Sequence, residues 1–142
     1  MSRENVETAR RCLDALNRRD VDGYLACCTD DVELRTALVA LEGAHEGAEG
    51  IRRFFSDIQD AAPDFHLEVE RLEAVGPERV LGFERATVSG RSSGVSFEQG
   101  IPFGSVWDFA GGKVRRIEVF ADREDALEAV GLRAGDERPS SS

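Results

Sequence analysis

The sequence predicts an α+β fold with helices gathered on one face of a mostly antiparallel sheet. Three observations carry this. Helical periodicity is confined to the first sixty residues and a short stretch near the end. Three successive β-type runs, Arg79–Gly90, Val95–Phe109 and Lys113–Phe120, fill most of the second half. Between those runs lie Arg91-Ser92-Ser93-Gly94 and Ala110-Gly111-Gly112, glycine-bearing separators of the kind that turn hairpins, so the runs read as an antiparallel meander.

The elements follow in chain order. Residues 3–18 read as a helix because Val6, Ala9, Leu13 and Leu16 recur at three- and four-residue spacing, with Cys12 beside them and Arg10, Arg11, Asp14 and Arg18 opposite. Asp20 is placed to cap a second, shorter helix whose buried stripe is Val21, Tyr24, Leu25 and Cys28. Thr29-Asp30-Asp31 ends it, Val32–Arg35 alternates as a short strand, and residues 36–48 read as a loop. Ile51, Phe54, Phe55 and Ile58 then form the clearest amphipathic array, a helix over about 49–60 that Pro63 closes. Phe65, Leu67 and Val69 alternate with His66, Glu68 and Glu70 as a strand. After the meander, Asp122 caps a helix at 123–130, which Gly131 stops. Residues 1–132 make one domain, and the polar tail 133–142 is expected to be disordered.

Composition narrows the function classes. The 142 residues carry 28 acidic against 18 basic side chains, a net charge of −10, so the overall field repels nucleic acid. No apolar run approaches the ~20 residues needed to span a bilayer, and MSRENVETARR lacks the apolar segment of a secretory signal. A cytoplasmic protein is expected, with no nucleic-acid or membrane partner. Cys12, Cys27 and Cys28 are an odd count with two adjacent, which favours reduced thiols. His45 and His66 lie far from them, so no metal site is read, and no cofactor is implied.

The element order, with the words ALNRRD (15–20), DVDGYLACCTDDVELR (20–35), HEGAEGIRRFF (45–55) and GSVWDFAGGKVRRIEVFADREDALEAVGL (104–132), resembles the cone-shaped nuclear-transport-factor-two-like superfamily. More narrowly it resembles the SnoaL-like branch related to ketosteroid isomerase, over residues 3–132. The resemblance implies a curved sheet wrapped around the first and third helices, a pocket open at one end, and homodimers packed through the outer sheet face. It implies little about reaction, since one such cone hosts isomerases, cyclases, hydrolases, dehydratases and plain binding proteins.

The isomerase chemistry uses an Asp base together with a Tyr and a protonated Asp that stabilise an enolate. Carried over residue by residue, the tyrosine position falls on Cys12, the base on Thr36 and the second acid on Ser105. The acid of polyketide-cyclase relatives falls near Val119. None of these residues supplies the required group, so neither mechanism transfers directly.

Other residues offer a different site. Alternation groups Phe97, Gln99, Ile101, Phe103, Ser105 and Trp107 on one strand face, where pocket lining and plain core packing are both open. With Cys12, Thr36, Phe55 and Val119, the residues Gln99, Ser105 and Trp107 are candidate ligand contacts. Gly100 and Gly104 read as bulges that curl the sheet. On the preceding strand either Gly82, Glu84 and Ala86 or Leu81, Phe83 and Arg85 face inward. Glu84 inside would be a buried general base of raised pKa, and Arg85 inside would select an anionic substrate. An exposed cross-strand pair is the third reading, which the usual exposure of charge favours. His45 is the other catalytic candidate, as a proton shuttle at the pocket mouth, against a solvated loop histidine. The leading expectation is a pocket protein for a small hydrophobic or amphipathic molecule, isomerase-, cyclase- or hydrolase-like, with Glu84 or His45 as its acid–base group. The alternative is a non-catalytic ligand-binding or dimerisation scaffold. A protein-interaction adaptor would need an exposed apolar patch on the outer sheet.

Overall fold

The computed structural model describes residues 2–37, 43–87 and 100–131. Its elements run α1 (Ser2–Asn17), α2 (Val21–Ala26), β1 (Cys28–Thr36), β2 (Gly43–Glu46), α3 (Gly47–Ala61), β3 (His66–Ala74), β4 (Arg79–Thr87), β5 (Ile101–Ala110), β6 (Lys113–Phe120) and α4 (Arg123–Ala129). The strands form one sheet in the order β2-β1-β6-β5-β4-β3, with β1 and β6 parallel and every other pair antiparallel. The α+β architecture and the β4–β5–β6 meander are as expected.

Three details differ from the expectation. β1 begins at Cys28 rather than after Asp31, and its pairing with β6 is irregular between Cys28 and Glu33, so Thr29-Asp30-Asp31 belongs to the strand. The segment read as loop contains β2, an edge strand of weak formers (Gly43-Ala44-His45-Glu46) that antiparallel pairing to β1 holds in place. Gly104 is not a bulge: it pairs in regular register with Phe83 and Phe120. Its reason is close approach, since a Cβ there would lie 2.7 Å from the Ala126 Cβ of α4. Phe97, Gln99, the 91–94 turn and the 133–142 tail lie outside the described residues.

Local chemistry fixes the helices. Asp20 accepts from the Gly23 N–H at 3.0 Å and Asp122 from the Glu124 N–H at 2.9 Å, both capping as the sequence indicates. Asn17, at the end of α1, clamps β3: its amide donates to the Leu67 carbonyl at 2.9 Å and accepts the Leu67 N–H at 2.8 Å.

α1 packs on β3 and β4, and α3 on β1 and β2, burying Leu13, Leu16, Ile51, Phe54, Phe55 and Ile58 against the inner sheet face. On the other face α4 covers β4 and β5 through Ala126, Leu81 and Val106. Val80–Gly82 of β4 and Phe103–Trp107 of β5 are therefore buried on both sides, whereas from Gly82 to Thr87 β4 alternates between buried and half-buried residues. No helix among the described residues is long and apolar enough to cross a membrane.

Candidate functional site

The inner face of β4 and β5 holds one buried ionisable group. In the register, Gly82 stands opposite Ser105 and Glu84 opposite Phe103, so Glu84 and Ser105 are diagonal neighbours on the face that looks toward the helices. Glycine at 82 leaves room for them to meet. A Cβ at that position would lie 2.6 Å from both the Glu84 Oε2 and the Ser105 Oγ. The Ser105 hydroxyl donates to the Glu84 carboxylate at 2.8 Å, and the Trp107 indole N–H donates to the Ser105 oxygen at 2.8 Å. Trp107, Ser105 and Glu84 are thus one directed hydrogen-bond chain ending on a carboxylate, with Glu84 itself 0% exposed.

That burial sets the acidity. Loss of hydration raises the Glu84 pKa from 4.5 to about 7, against the opposing pull of the Ser105 hydrogen bond and the Arg123 charge. Arg123 works from the outer side. It donates to the backbone carbonyls of Glu84 at 2.7 Å and Phe103 at 3.2 Å, so it steadies both strands without reaching the carboxyl group.

Glu84 faces a cavity of about 40 Å³, room for a few waters or a ligand of a handful of heavy atoms. Its walls are Leu13 and Leu16 of α1, Tyr24 of α2, Leu34 and Thr36 of β1 and Phe54 of α3. Phe65, Leu67, Phe103, Ile117 and Val119 complete them with Ser105 and Trp107. Glu84 is the only charged side chain among these lining residues, and five of them are aromatic. Tyr24 stands edge-on to Phe55 at 5.2 Å, and its phenol pKa is pushed up chiefly by burial, then by the neighbouring cysteines and the Glu84 charge.

Of the residues singled out from sequence, Glu84, Ser105, Trp107, Thr36 and Val119 meet at this cavity. The others stand elsewhere. Cys12 is buried behind Tyr24, its thiol directed to the Tyr24 carbonyl at 3.8 Å, and Phe55 backs the same ring. Neither belongs to the lining. Arg85 points to the outer face and pairs with Glu70 at 2.7 Å, because a strand residue next to an inward Glu84 must face the opposite way. His45 sits on β2 against the Phe54 ring, centroids 5.3 Å apart, one side chain removed from the cavity. Burial lowers its pKa. Tyr24 is the polar lining residue absent from the candidates read from sequence. It is the chain's one tyrosine and stood on a recognised buried stripe, which was the available signal. Among the described residues, no three His, Cys, Asp or Glu side chains converge as metal ligands.

A curved sheet enclosing N-terminal helices, with a short C-terminal helix on its outer face, is the cone-shaped α+β fold of the nuclear-transport-factor-two-like class. Within that class the chain belongs to the SnoaL-like domain family, whose model matches residues 9–117. Among solved structures it is similar to an uncharacterised cystatin-fold protein from Novosphingobium aromaticivorans, with 30% identity over 84% of this chain and 98% of that one and a TM-score of 0.68. Its fold is also that of a ketosteroid isomerase-like protein from Catenulispora acidiphila, solved with trimethylamine (12% identity, 91% and 95% covered, TM-score 0.72). A putative polyketide cyclase from Sinorhizobium meliloti shares it too (17% identity, 80% and 93% covered, TM-score 0.63). No curated protein matches the chain.

Proposed function

We propose that the chain is an acid–base enzyme of the SnoaL-like family, acting on a small apolar or amphipathic molecule by proton transfer through Glu84. The observation that carries this reading is the Trp107–Ser105–Glu84 chain in an otherwise apolar cavity. A carboxyl group with a pKa of about 7 is split between its two forms at neutral pH, the condition in which one group both takes and returns a proton efficiently. Glu84 is the base that removes a proton from a carbon beside a carbonyl, and Tyr24, on the facing wall, is the donor toward the oxygen on which charge develops. Ser105 holds the carboxylate in place and Trp107 holds Ser105. The acid thus comes from β4, a strand where ketosteroid isomerase chemistry has none, which explains how Cys12, Thr36 and Ser105 replace that enzyme's set without removing a base from the pocket.

The cavity volume selects the substrate class. About 40 Å³ suits a short ketone, enal or lactone, whereas a steroid would require Phe54, Phe65 and Phe103 to move aside. The chain is further proposed to act as a cytoplasmic homodimer joined through the outer sheet face, which sedimentation checks directly.

Ligand-induced thermal stabilisation across small carbonyl compounds, terpenoids, polyketide-like aromatics, steroids and acids finds the ligand class, because a ligand of the native state raises its melting temperature. Amines belong in the panel because the Catenulispora acidiphila protein was solved with trimethylamine. For the compound that binds and turns over, Glu84→Gln is expected to lower kcat by about 10²–10⁴-fold, the usual worth of a general base. Undiminished turnover in that variant overturns the assignment, and a folded protein that binds nothing in the panel points to the non-catalytic scaffold.

A further inference from the structure

The three cysteines of the chain gather where α1 passes the junction of α2 and β1, behind the cavity wall. Cys12 and Cys28 are buried, and both thiols point to the Tyr24 carbonyl, at 3.8 and 3.2 Å. Cys27, the C-terminal cap of α2, is half-buried. The Tyr24 carbonyl that both buried thiols face also accepts the Cys27 backbone N–H at 3.1 Å, so the three cysteines surround one oxygen, and the Cys12 thiol, Arg11 and Lys113 all act on the Cys27 sulfur. No disulfide joins any of the three.

This is not the setting of an inert core thiol. A packed cysteine has apolar neighbours, stays protonated and reacts slowly, whereas cationic neighbours, a hydrogen-bond donor and partial access make a cysteine nucleophilic. We propose that Cys27 is an oxidisable nucleophile that attacks hydroperoxides, and that Cys12 resolves it to a Cys12–Cys27 disulfide. The neighbouring Cys12 thiol, with Arg11 and Lys113, holds the Cys27 pKa down to about 6, while Cys12 is pushed well above its ordinary value by its closeness to Cys27 and Cys28 and by burial. The two thiols therefore divide the work. Cys27 is the thiolate that attacks, and Cys12 keeps its proton until it is needed.

In the first step the Cys27 sulfur attacks one peroxide oxygen. The O–O bond breaks, the alkoxide or hydroxide leaves and is protonated by water, and Cys27 becomes a sulfenic acid. In the second step the hydroxide so formed takes the Cys12 proton, and the Cys12 sulfur attacks the sulfenic sulfur. The S–S bond forms as the S–O bond breaks, and the departing hydroxide gains a proton and leaves as water. Two thiols have supplied two electrons, and one hydroperoxide has become an alcohol (or water) and a water. Cys28 is the poorer resolving partner, since adjacent residues do not form an ordinary bridge and its thiol is held closer to the Tyr24 carbonyl, at 3.2 Å against 3.8 Å for Cys12.

The test needs only the reduced full-length protein and hydrogen peroxide, and it is independent of Glu84 chemistry. Protein treated with equimolar peroxide is alkylated, digested and mapped by mass spectrometry. The expected product is one intramolecular peptide pair linked through Cys12 and Cys27, with Cys28 alkylated. Cys12→Ser is expected to stop at the sulfenic acid, trapped by dimedone on Cys27, and Cys27→Ser to react at least about tenfold more slowly with peroxide. A bridge through Cys28, bridges only between molecules, or equal reaction rates for wild type and Cys27→Ser overturn the proposal. Should Cys12→Ser fail to fold, the wild-type map decides alone, and absence of the Cys12–Cys27 pair overturns it.

Discussion

Glu84 and Arg85 are neighbours on β4 and live in opposite electrostatic worlds. Arg85 faces outward, where it and Arg123 both bind Glu70, the extra residue of an irregularity in the β3–β4 pairing. Those two cations hold the Glu70 pKa below its ordinary value, and solvent screens all three charges. Glu84 faces inward, where no cation among the described residues pairs with its carboxyl group and burial raises its pKa against the more distant pull of Arg123. One side of the strand solvates its carboxylate with arginines and water. The other replaces water with a single hydroxyl and an indole N–H. Glutamate is a surface ion-pair partner as Glu70 of β3 and a poised acid as Glu84 of β4, and a one-residue step along β4, from Arg85 to Glu84, crosses from one environment to the other.

The sharpest way to break this contrast is Glu84→Gln. If the inner carboxyl is the base, turnover falls by the 10²–10⁴-fold given above, while removing an outer charge leaves it unchanged. The same variant isolates a pH effect on stability. Raised from 4.5 to about 7, Glu84 binds more protons in the folded than the unfolded chain across that interval. Its contribution is therefore most favourable below about pH 4.5 and is lost as the pH rises through 7. At 1.36 kcal/mol per pKa unit, the loss is on the order of 3 kcal/mol. Cys27, held down to about 6, acts in the opposite direction at higher pH, and comparing wild type with Glu84→Gln cancels it. Urea unfolding from pH 4 to 8 should show the difference in stability between wild type and variant shrinking or reversing in the variant's favour by about that amount. A difference independent of pH would show that Glu84 is not held protonated by the fold.

Ser105→Ala sharpens the comparison from the other side of the hydrogen bond. It removes the donor to the carboxylate and strands the Trp107 N–H, both buried. Stability should fall by about 1–3 kcal/mol, and the Glu84 titration should move higher still, because the lost bond favoured the ionised form. Carboxyl NMR of the variant reads that midpoint, and an unmoved value would mean the Ser105 bond does not hold the anion.

Much of this arrangement was legible before any coordinates, and the rest was hidden for definite reasons. The array Ile51, Phe54, Phe55, Ile58 and the caps Asp20 and Asp122 are local signals, and each helix forms where they place it. β2 has no local signal, because its pairing with β1 and not its composition makes it a strand. Glu84 could be named as a candidate but not oriented. Val80 and Leu81 are both apolar and Glu84 and Arg85 both charged, so the sequence of β4 lacks the alternation that tells inside from outside, although its burial alternates from Gly82 onward. Its contact with Ser105 depends on the register of two strands, and the cavity volume depends on how fourteen side chains fill space. Neither is a property of any one stretch. His45 is a similar case. Its position in the loop word suggests a pocket mouth, and only the pairing of β2 with β1 sets it against the Phe54 ring, one side chain from the cavity.

The smallest expected effect tests the outer half of the comparison. In Arg85→Gln the pair with Glu70 is lost, but its side chains are 30% and 35% exposed, and Arg123 still binds Glu70 at 2.9 Å. A pair of this exposure is worth about 0–1 kcal/mol, and less at high salt. Denaturant midpoints at low and high salt should therefore differ little between wild type and variant, and the Glu84 midpoint should stay where it was. A large loss of stability, or a shift of the inner carboxyl, would mean that the two faces of β4 are coupled through the strand. Arg123 is where that coupling would reside, since it alone touches Glu70 on one side and the Glu84 backbone on the other.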